Sequence, residues 1–590
     1  MLQKLSTFLI LIVFIAAGFA QASERKLAPV PAPINGSEVH SNTGTQPVFS
    51  LDRIGPVRTN ALTFTFQPTG VFTVYDLQSN GVTQEIWQDP LNPLKVHATF
   101  MYSTVPGFAT RQCAYIYSDN GGQTWTNLGD VPSSGRAGFP AITGYPNVVG
   151  GSPAIITNHN TSNGTTARVK INYDAGPGFG VFTEIDPGLL QGADGIWARV
   201  LGLPNTQIAF VASINGQVVS ATNVATNVAP PGIFSGYVTF PGDQAETYCL
   251  ALAPNGRVGH AYIGAGDGVI DNDVFYRFST DNGLTWSTPT LVWDFSEATD
   301  SLGCLRGISM AFGNNNEPYV AFNLGLMTLA GNFDPAGPSS IRVWSPAVNG
   351  GIPKIVADQT NIPFFPNLGL VNDAFLPICR PSIGRSSTGN QLFMSMVATT
   401  GEYSPVDTCS FYAGWFSYSN NNGSSWAAPE RMTPAVPKRD WRFISVSPVN
   451  NTALSITTVQ MMAQDDSLAG THVNGAEIGS GQAMGIKVNV STSVNNISST
   501  VPSDFNLSQN YPNPFNPSTS IRFDIRNTSN ITLKVYNSNG QEVAILVNNE
   551  LVSPGTKEVV FDATSLSSGI YFYTLFAGDF KETKKMMLIK

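Results

Sequence analysis

The chain has 590 residues, of which only 12% are charged and 11% are aromatic, and its 56 glycines and 40 prolines favour short strands joined by tight turns. Forty acidic against 31 basic side chains leave a net charge of −9, which excludes a chain-wide basic surface for nucleic acid. A hydrophobic fraction of 42% is enough to bury a large core, so the composition also argues against disorder.

The first 22 residues are typical of a secretory signal peptide. Lys4 supplies the positive start, residues 8–19 are almost all apolar, and Ala20-Gln21-Ala22 is a small-residue cleavage site. The apolar run is shorter than the roughly 20 residues that a membrane-spanning helix needs. We therefore expect a mature chain without a transmembrane segment. Residues 23–80 begin as a leader rich in Pro and Ser and end with a candidate strand at 62–66.

One short motif occurs three times between residues 81 and 489, each time after an aromatic-rich segment with strand character. Its pattern is Ser-x-Asp/Asn-x-Gly-x-Thr/Ser-Trp. We expect a turn in which the Asp or Asn bonds its own backbone, the Gly accepts a positive φ, and the Trp packs between neighbouring sheets. The residues of the three copies are Ser118, Asn120, Gly122 and Trp125; Ser279, Asp281, Gly283 and Trp286; and Ser419, Asn421, Gly423 and Trp426.

A second, fainter repeat consists of a strand, a turn rich in Pro, Asn and Gly, and another strand. It occurs seven times, starting near residues 84, 139, 196, 247, 304, 379 and 441. Each interval has room for two hairpins, which is the content of a four-stranded blade. Together with the triple motif, this pattern resembles the Asp-box β-propellers of the sialidase kind. The resemblance implies an all-β propeller over residues 81–489. Seven blades are favoured, six blades are the alternative, and stacked sandwiches come third.

Several polar residues fall near the starts of the first strands of these units. They are Arg199, Arg306, Arg380 and Arg442, together with Glu246 and Tyr248. If the first strands line a central channel, the guanidinium groups converge at one mouth and can bind a ligand carboxylate. The alternative is that the arginines form salt bridges or bond carbonyl groups between blades.

The resemblance to sialidases implies an arginine triad, a Tyr–Glu nucleophile pair and an Asp acid. Most of this set does not transfer to the sequence. The Arg-Ile-Pro motif of sialidases is missing, and Asp300 and Asp373 are both open as the acid. No catalytic residue is therefore assigned.

No metal or cofactor site is predicted, because neither the five histidines nor the five cysteines have metal-ligand spacing. His97 and His260 alternate with apolar residues and are expected to be packed, hydrogen-bonded core residues. Asp267, Asp271 and Asp273 share a segment that does not match an EF-hand and is expected to be a solvated loop.

In an exported chain the cysteines favour either disulfides or buried thiols. The disulfide interpretation pairs Cys379 with Cys409 and Cys249 with Cys304, and it leaves Cys113 as the spare thiol.

Residues 490–503, rich in Ser, Asn and Thr, are expected to be a linker. The sequence after this linker contains YPNPFNPST at 511–519, VYNSNGQEV at 535–543 and SGIYFYTL at 568–575. Its alternating apolar residues predict a small antiparallel sandwich of the immunoglobulin-like kind. The three motifs resemble the type A C-terminal sorting domain of the type IX secretion system. The resemblance covers residues 504–590 and implies transit through the periplasm of a Gram-negative, Bacteroidetes-like bacterium, contact with the secretion machinery, and delivery outside the cell or to its outer surface.

The sequence therefore predicts an exported or cell-surface β-propeller that binds a glycan or a protein ligand through its loops, without a cofactor. A sialidase-like glycoside hydrolase is the alternative.

Overall fold

In the computed structural model, the described part of the chain comprises residues 28–29 and 62–589. It omits residues 79–82, 107–109, 133–134, 162–166, 215–218, 226–231, 242, 265–271, 297–299, 328–331, 368–374, 406–408, 454–455, 472–478, 492–494, 499, 553 and 564–565. These residues form strands and turns, apart from one short 3-10 turn at Asn349–Gly351. Within them, no helix is long and apolar enough to cross a bilayer.

Seven groups of four antiparallel strands follow one another along the chain and are called blades 1 to 7. The first five are separate sheets, whereas the short strand Val449–Ala453 joins blades 6 and 7 into one sheet of nine strands. Blades 1 and 2 contain Ile86–Gln88, Val96–Tyr102, Gln112–Ser118 and Thr126–Asp130; then Ala137–Thr143, Ile155–Asn160, Arg168–Asp174 and Phe182–Ile185. Blades 3 and 4 contain Gly195–Gly202, Ile208–Ile214, Val219–Ala225 and Val238–Pro241; then Asp243–Leu252, Val258–Gly264, Asp273–Ser279 and Thr290–Trp293. Blades 5 and 6 contain Leu302–Phe312, Pro318–Leu326, Ser339–Trp344 and Lys354–Ala357; then Ile378–Ser386, Leu392–Tyr403, Ser410–Ser419 and Glu430–Arg431.

Blade 7 closes the ring. It contains Asp440–Val446, Ile456–Asp466 and Gly481–Ser491, and its fourth strand is Phe64–Thr73, which comes from before blade 1. Side chains of blade 7 also accept bonds from the backbone of blade 1. Ser445 Oγ lies 3.0 Å from the nitrogen of Glu85, and Ser447 Oγ lies 3.0 Å from that of Gln88. The predicted seven-bladed propeller is therefore confirmed, and the candidate strand at 62–66 belongs to its closing strand.

The blades hold together because each buries its faces against its neighbours. The first strands of consecutive blades contact one another around the axis, and most of their residues are buried without alternation. The apolar clusters lie between sheets. One of them joins Ile155 and Ile171 of blade 2 to Val200 and Phe210 of blade 3. Such continuous burial explains why the apolar pattern of these strands is not the simple alternation of a half-exposed sheet.

A β-bulge recurs in the first strands. The pairing register breaks in blades 2, 3, 5, 6 and 7, and one residue at each break has φ between 52° and 56°. These bulge residues are Phe139, Trp197, Arg306, Arg380 and Phe443. A bulge re-aims the side chains on either side of it, so it decides which residues face the axis.

A separate sandwich follows the propeller. One sheet contains Asn495–Ser498, Gly555–Asp562, Ser518–Ile525 and Asn506–Leu507, and the other contains Glu542–Val552, Ser529–Asn537, Gly569–Ala577 and Phe580–Leu588. Its core includes Phe523, Val535 and Tyr573. Ser518–Ile525 alternates between buried and more exposed residues, as the sequence predicts for a half-buried strand. Outside these sheets, Ala28–Pro29 pairs with Asn332–Phe333, and the short strand Val449–Ala453 lies beside blades 6 and 7.

The two predicted disulfides are wrong, because none of the five cysteines, all of them in the described residues, is in a disulfide. Cys249 and Cys304 each donate to a carbonyl of their own sheet, that of Ala261 at 3.8 Å and that of Gly307 at 3.7 Å. Burial raises the pKa of the Cys249 thiol to about 12. Four of the five cysteines are buried and Cys249 is half-buried, which agrees with the alternative of buried thiols.

Candidate functional site

The propeller has two ends, which we name by their connections. The turn face carries the turns between first and second strands and between third and fourth strands. The loop face carries the connections that lead from one blade to the next and the loops between second and third strands.

The three copies of the Ser-x-Asp/Asn-x-Gly-x-Thr/Ser-Trp motif, which we call the Asp box for brevity, lie on the turn face, between the third and fourth strands of blades 1, 4 and 6. In blade 4, Asp281 accepts bonds from Ser279 Oγ at 2.7 Å and from Thr285 through both its nitrogen, at 2.8 Å, and its hydroxyl, at 2.6 Å. The Gly283 nitrogen donates to Ser279 Oγ at 2.8 Å, with a φ of 97°. Trp286 Nε1 donates to Thr222 of blade 3. These contacts describe a self-bonded turn anchored on the preceding blade.

The four predicted arginines do not occupy equivalent positions. Arg306 and Arg380 are bulge residues, whereas Arg442 precedes the bulge of its strand and Arg199 follows its bulge by two residues. All four are at most 7% exposed. Because a bulge changes the direction of neighbouring side chains, the position of each arginine relative to its bulge matters for where its side chain points.

Two of the four come together on the ring of Phe375. The guanidinium carbon of Arg380 lies 3.8 Å from the ring centroid, and that of Arg442 lies 4.6 Å from it. Arg442 also forms a buried ion pair with Asp440 at 2.5 Å and donates to the carbonyl of Ser410 at 2.9 Å. The guanidinium group of Arg442 is therefore already bound by other residues of the propeller.

Arg199 lies elsewhere, beside Glu85 of blade 1. The carboxyl of Glu85 is fully buried, and neither of its oxygens has a hydrogen-bond partner among the described residues. Burial raises the pKa of Glu85 well above its ordinary range, and the Arg199 charge opposes that shift. Arg199 Nη1 donates to the carbonyl of Ala198 at 3.3 Å.

The hydroxyl group of Tyr248 forms hydrogen bonds between two blades. It lies 2.9 Å from the carbonyl oxygen of Trp197 and 2.9 Å from Ser213 Oγ. Glu246 lies in the same strand, Asp243–Leu252. Asp300 is exposed and accepts a bond from the nitrogen of Leu302, while Asp373 lies outside the described residues. Among the described contacts of the predicted residues, Arg380 and Arg442 share the ring of Phe375, whereas Arg199 lies beside Glu85 and Tyr248 bonds Trp197 and Ser213.

The two strand histidines are core residues, as predicted. His97 is fully buried, its Nδ1 lies 2.8 Å from the hydroxyl of Tyr115, and burial lowers its pKa to about 3. His260 is also fully buried, and its Nδ1 accepts a bond from Arg277 at 3.0 Å. Of the acid-rich segment, Asp267 and Asp271 lie outside the described residues. In the part of the chain that is described, no group of three His, Cys, Asp or Glu side chains could hold a metal ion.

A cavity of about 1050 Å³ opens on the turn face around the propeller axis. Its wall includes the first turns of most blades, and it extends inward to Gln84 and Arg199. Three aromatic residues, Trp87, Phe278 and Phe312, form part of the wall. Its volume is at the upper end of the range for ligand cavities, about 300–1,000 Å³, so it is large enough for an extended ligand.

Two arginines that the sequence analysis did not single out also line this cavity. Arg257 follows the first turn of blade 4, and Arg385 precedes that of blade 6. Their only signal in the sequence is that each lies next to one of the repeated turns. Of the predicted arginines, Arg199 lines the cavity, whereas Arg306, Arg380 and Arg442 are not part of its wall.

Comparison with known families identifies the end of the chain. Residues 509–590 match the family model described as "Secretion system C-terminal sorting domain". This protein is exported. The sorting domain directs it through the type IX secretion system to the cell surface or the extracellular space, as the motifs at 511–575 predicted.

Three solved structures illustrate what the chain resembles. The polysaccharide lyase Uly1 is 8% identical with a TM-score of 0.40, over 70% of this chain and 91% of that one. The alpha-L-arabinanase of Penicillium chrysogenum, complexed with arabinobiose, is 11% identical with a TM-score of 0.33, over 71% and 97%. The sialidase of Trypanosoma rangeli, in complex with the inhibitor DANA, is 11% identical with a TM-score of 0.35, over 88% of both chains. The fold assignment itself rests on the order and closure of the seven blades.

Proposed function

We propose that this exported propeller is a carbohydrate-binding protein and that its ligand occupies the cavity on the turn face. The observation that carries the proposal is the composition of the cavity wall. Aromatic rings offer flat faces for the apolar side of a sugar, and amides and hydroxyls offer partners for its hydroxyl groups. The half-buried ring of Phe278 is of the first kind, and the exposed Asn205, Asn255 and Thr388 are of the second.

The contacts of the predicted arginines favour this site over a sialidase-like centre on the loop face. A carboxylate-binding triad needs three guanidinium groups that converge on one ligand. Arg442 is already paired with Asp440, and Arg199 lies in the wall of the cavity instead.

The test is a glycan array probed with the mature protein, followed by calorimetry on the best ligand. Two variants narrow the cavity from opposite sides, Asn205→Trp in blade 3 and Thr388→Trp in blade 6. Asn539→Trp, at another exposed turn asparagine but in the C-terminal sandwich, is the matched control. We expect both cavity variants to weaken binding by about tenfold or more, since a bulky ring removes ligand volume and contacts.

Unchanged affinity in both cavity variants would place the ligand elsewhere and contradict the proposal. Release of new reducing ends from the bound glycan would show that the protein cleaves its ligand as well as binding it.

A further inference from the structure

The cavity is electrostatically unlike the rest of the molecule. Its described lining includes three arginines, Arg199, Arg257 and Arg385, and none of the lining residues is Asp, Glu or Lys. The whole chain carries a net charge of −9. A positive cavity in an acidic protein concentrates anions, because low-dielectric walls focus the field of the charges that line them.

Arg199 lies near a carboxyl group, that of the buried Glu85. The other two arginines differ from it in this respect. Among the described residues, no carboxylate pairs with Arg257 or Arg385.

Arg385 is held by uncharged groups. Its Nη1 donates to Asn314 Oδ1 at 2.6 Å and to the carbonyl of Ser386 at 3.0 Å. These bonds use one nitrogen of the guanidinium group, and no described residue accepts a bond from Nε or Nη2. Burial lowers the pKa of Arg385 to about 10, which is the shift expected for a cation without a nearby negative charge.

Arg257 is held in a similar way. Its Nη2 donates to the carbonyl of Asn316, and its guanidinium carbon lies 5.2 Å from the ring centroids of both Phe278 and Phe312. Its Nε has no hydrogen-bond partner among the described residues.

Both arginines contact the same turn, residues 313–317 of blade 5. Arg385 reaches it from blade 6 through Asn314, and Arg257 reaches it from blade 4 through Asn316. Asn314 also donates to the carbonyls of Ser386 and Gly389, which fixes the turn to blade 6. Two guanidinium groups are therefore positioned on either side of one anchored turn before any ligand arrives, which reduces the entropy that binding would cost.

From this arrangement we infer that the ligand of the cavity is an acidic oligosaccharide and that Arg257 and Arg385 select it by binding its carboxylate or sulfate groups. The inference rests on the proposed carbohydrate binding. It adds to that proposal the negative charge of the ligand and the residues that recognise this charge. Guanidinium groups suit this role because their planar donors match the oxygens of carboxylate and sulfate groups.

The experiment compares tetragalacturonate with its fully methyl-esterified form, and a sulfated oligosaccharide with its unsulfated parent, by calorimetry on the mature protein. We expect each anionic ligand to bind about tenfold or more tightly than its neutral counterpart, with an affinity that falls as salt increases. Arg257→Gln and Arg385→Gln should remove most of this difference. Arg385→Lys, which keeps the charge but not the planar fork, should retain part of it.

Arg522→Gln in the C-terminal sandwich is the matched control, and the thermal midpoint of each variant reports whether it is folded. Should Arg385→Gln fail to fold, Arg257→Gln and the comparison between ligands still decide the question. Equal binding of the acidic and neutral forms would overturn the inference and leave carbohydrate binding intact. Tighter binding of an acidic peptide such as oligoglutamate would overturn the class of ligand. Absence of binding to every glycan would overturn the proposed function as well.

Discussion

At the scale of single residues, the Asp box shows how one turn is built with two different side chains. Blade 4 uses Asp281, whereas blades 1 and 6 use Asn120 and Asn421. In blade 1, Asn120 Oδ1 accepts from the nitrogen of Thr124 at 3.0 Å, and its amide donates to the hydroxyl of Thr124 at 2.7 Å. Since a hydroxyl can donate or accept, the threonine serves either side chain.

Burial raises the pKa of Asp281, but the bonds from Thr285 and Ser279 outweigh this effect and hold the pKa below its ordinary value of 3.8. A carboxyl group whose pKa is lower in the folded state stabilises the fold above its unfolded pKa. That contribution is lost as the pH falls through the lower, folded value. The asparagine copies have no such dependence.

We therefore expect Asp281→Asn to lower the free energy of unfolding by less than about 1 kcal/mol at neutral pH, because the variant has the same side chain as the turns of blades 1 and 6. Asp281→Ala should cost about 1–3 kcal/mol, because it removes three hydrogen bonds. The stability difference between the parent protein and Asp281→Asn should narrow as the pH falls from 3.8 through the lower, folded pKa, because the native carboxyl becomes protonated over this range. Thermal midpoints measured at neutral pH and in acid check this. Equal losses in the Asn and Ala variants would contradict the shared-turn explanation.

At the scale of elements, the strand that closes the ring carries more than its own hydrogen bonds. Phe64–Thr73 pairs with Gly481–Ser491 in blade 7. Its aromatic rings also pack edge to face against other strands. The ring centroids of Phe64 and Phe416 are 5.7 Å apart, and those of Phe66 and Trp441 are 5.4 Å apart. Without it, blade 7 would expose an unpaired strand edge.

A chain that begins at residue 74 should therefore be aggregation-prone and unfold at a much lower temperature than one that begins at residue 62. Phe66→Ala is a milder test of the same strand. It should lower the free energy of unfolding by about 2–3 kcal/mol, because it replaces a large, partly buried side chain with a small one. Its neighbour Thr65 is exposed, so Thr65→Ala should change stability by less than about 0.5 kcal/mol. If the shortened chain melts like the longer one, the strand does not close the ring.

At the scale of the whole molecule, the propeller and the sorting domain are separate parts of the chain. The propeller is closed by its own first strand, and the sandwich has a separate core that includes Phe523 and Tyr573. The match to the sorting family lies within the sandwich, at residues 509–590. Because each part buries its own apolar residues, removing the sandwich should not unfold the propeller.

A chain that ends at residue 503 should therefore keep its fold but remain in the periplasm, whereas the full chain reaches the surface or the medium. Cell fractionation followed by immunoblotting measures the location, and proteolysis of the retained protein measures its fold. Detection of the shortened chain outside the cell would contradict the assignment of sorting to residues 504–590.

Features that depend on a few consecutive residues could be predicted from the sequence. The YPNPFNPST motif identified the sorting domain, and the repeated Pro-Asn-Gly turns yielded the number of blades. A turn is determined by the φ preferences and side-chain bonds of its own residues, so Gly283 and Asp281 specify theirs without reference to the rest of the chain. Spacing alone, by contrast, did not reveal the disulfide state, because pairing depends on how close two distant thiols come.

The residues of the candidate site could be determined only from the tertiary structure. Arg199 and Arg380 have similar positions in the repeated unit, but Arg199 lines the cavity beside Glu85, whereas Arg380 contacts the ring of Phe375, and no local sequence pattern predicted this difference. Arg257 and Arg385 are 128 positions apart in the numbering, and they meet at one turn only because the ring brings blades 4, 5 and 6 together. Local residue chemistry determined the strands, turns and destination of this protein, whereas closure of the ring decided which side chains share a cavity, since that depends on contacts between segments far apart in the chain.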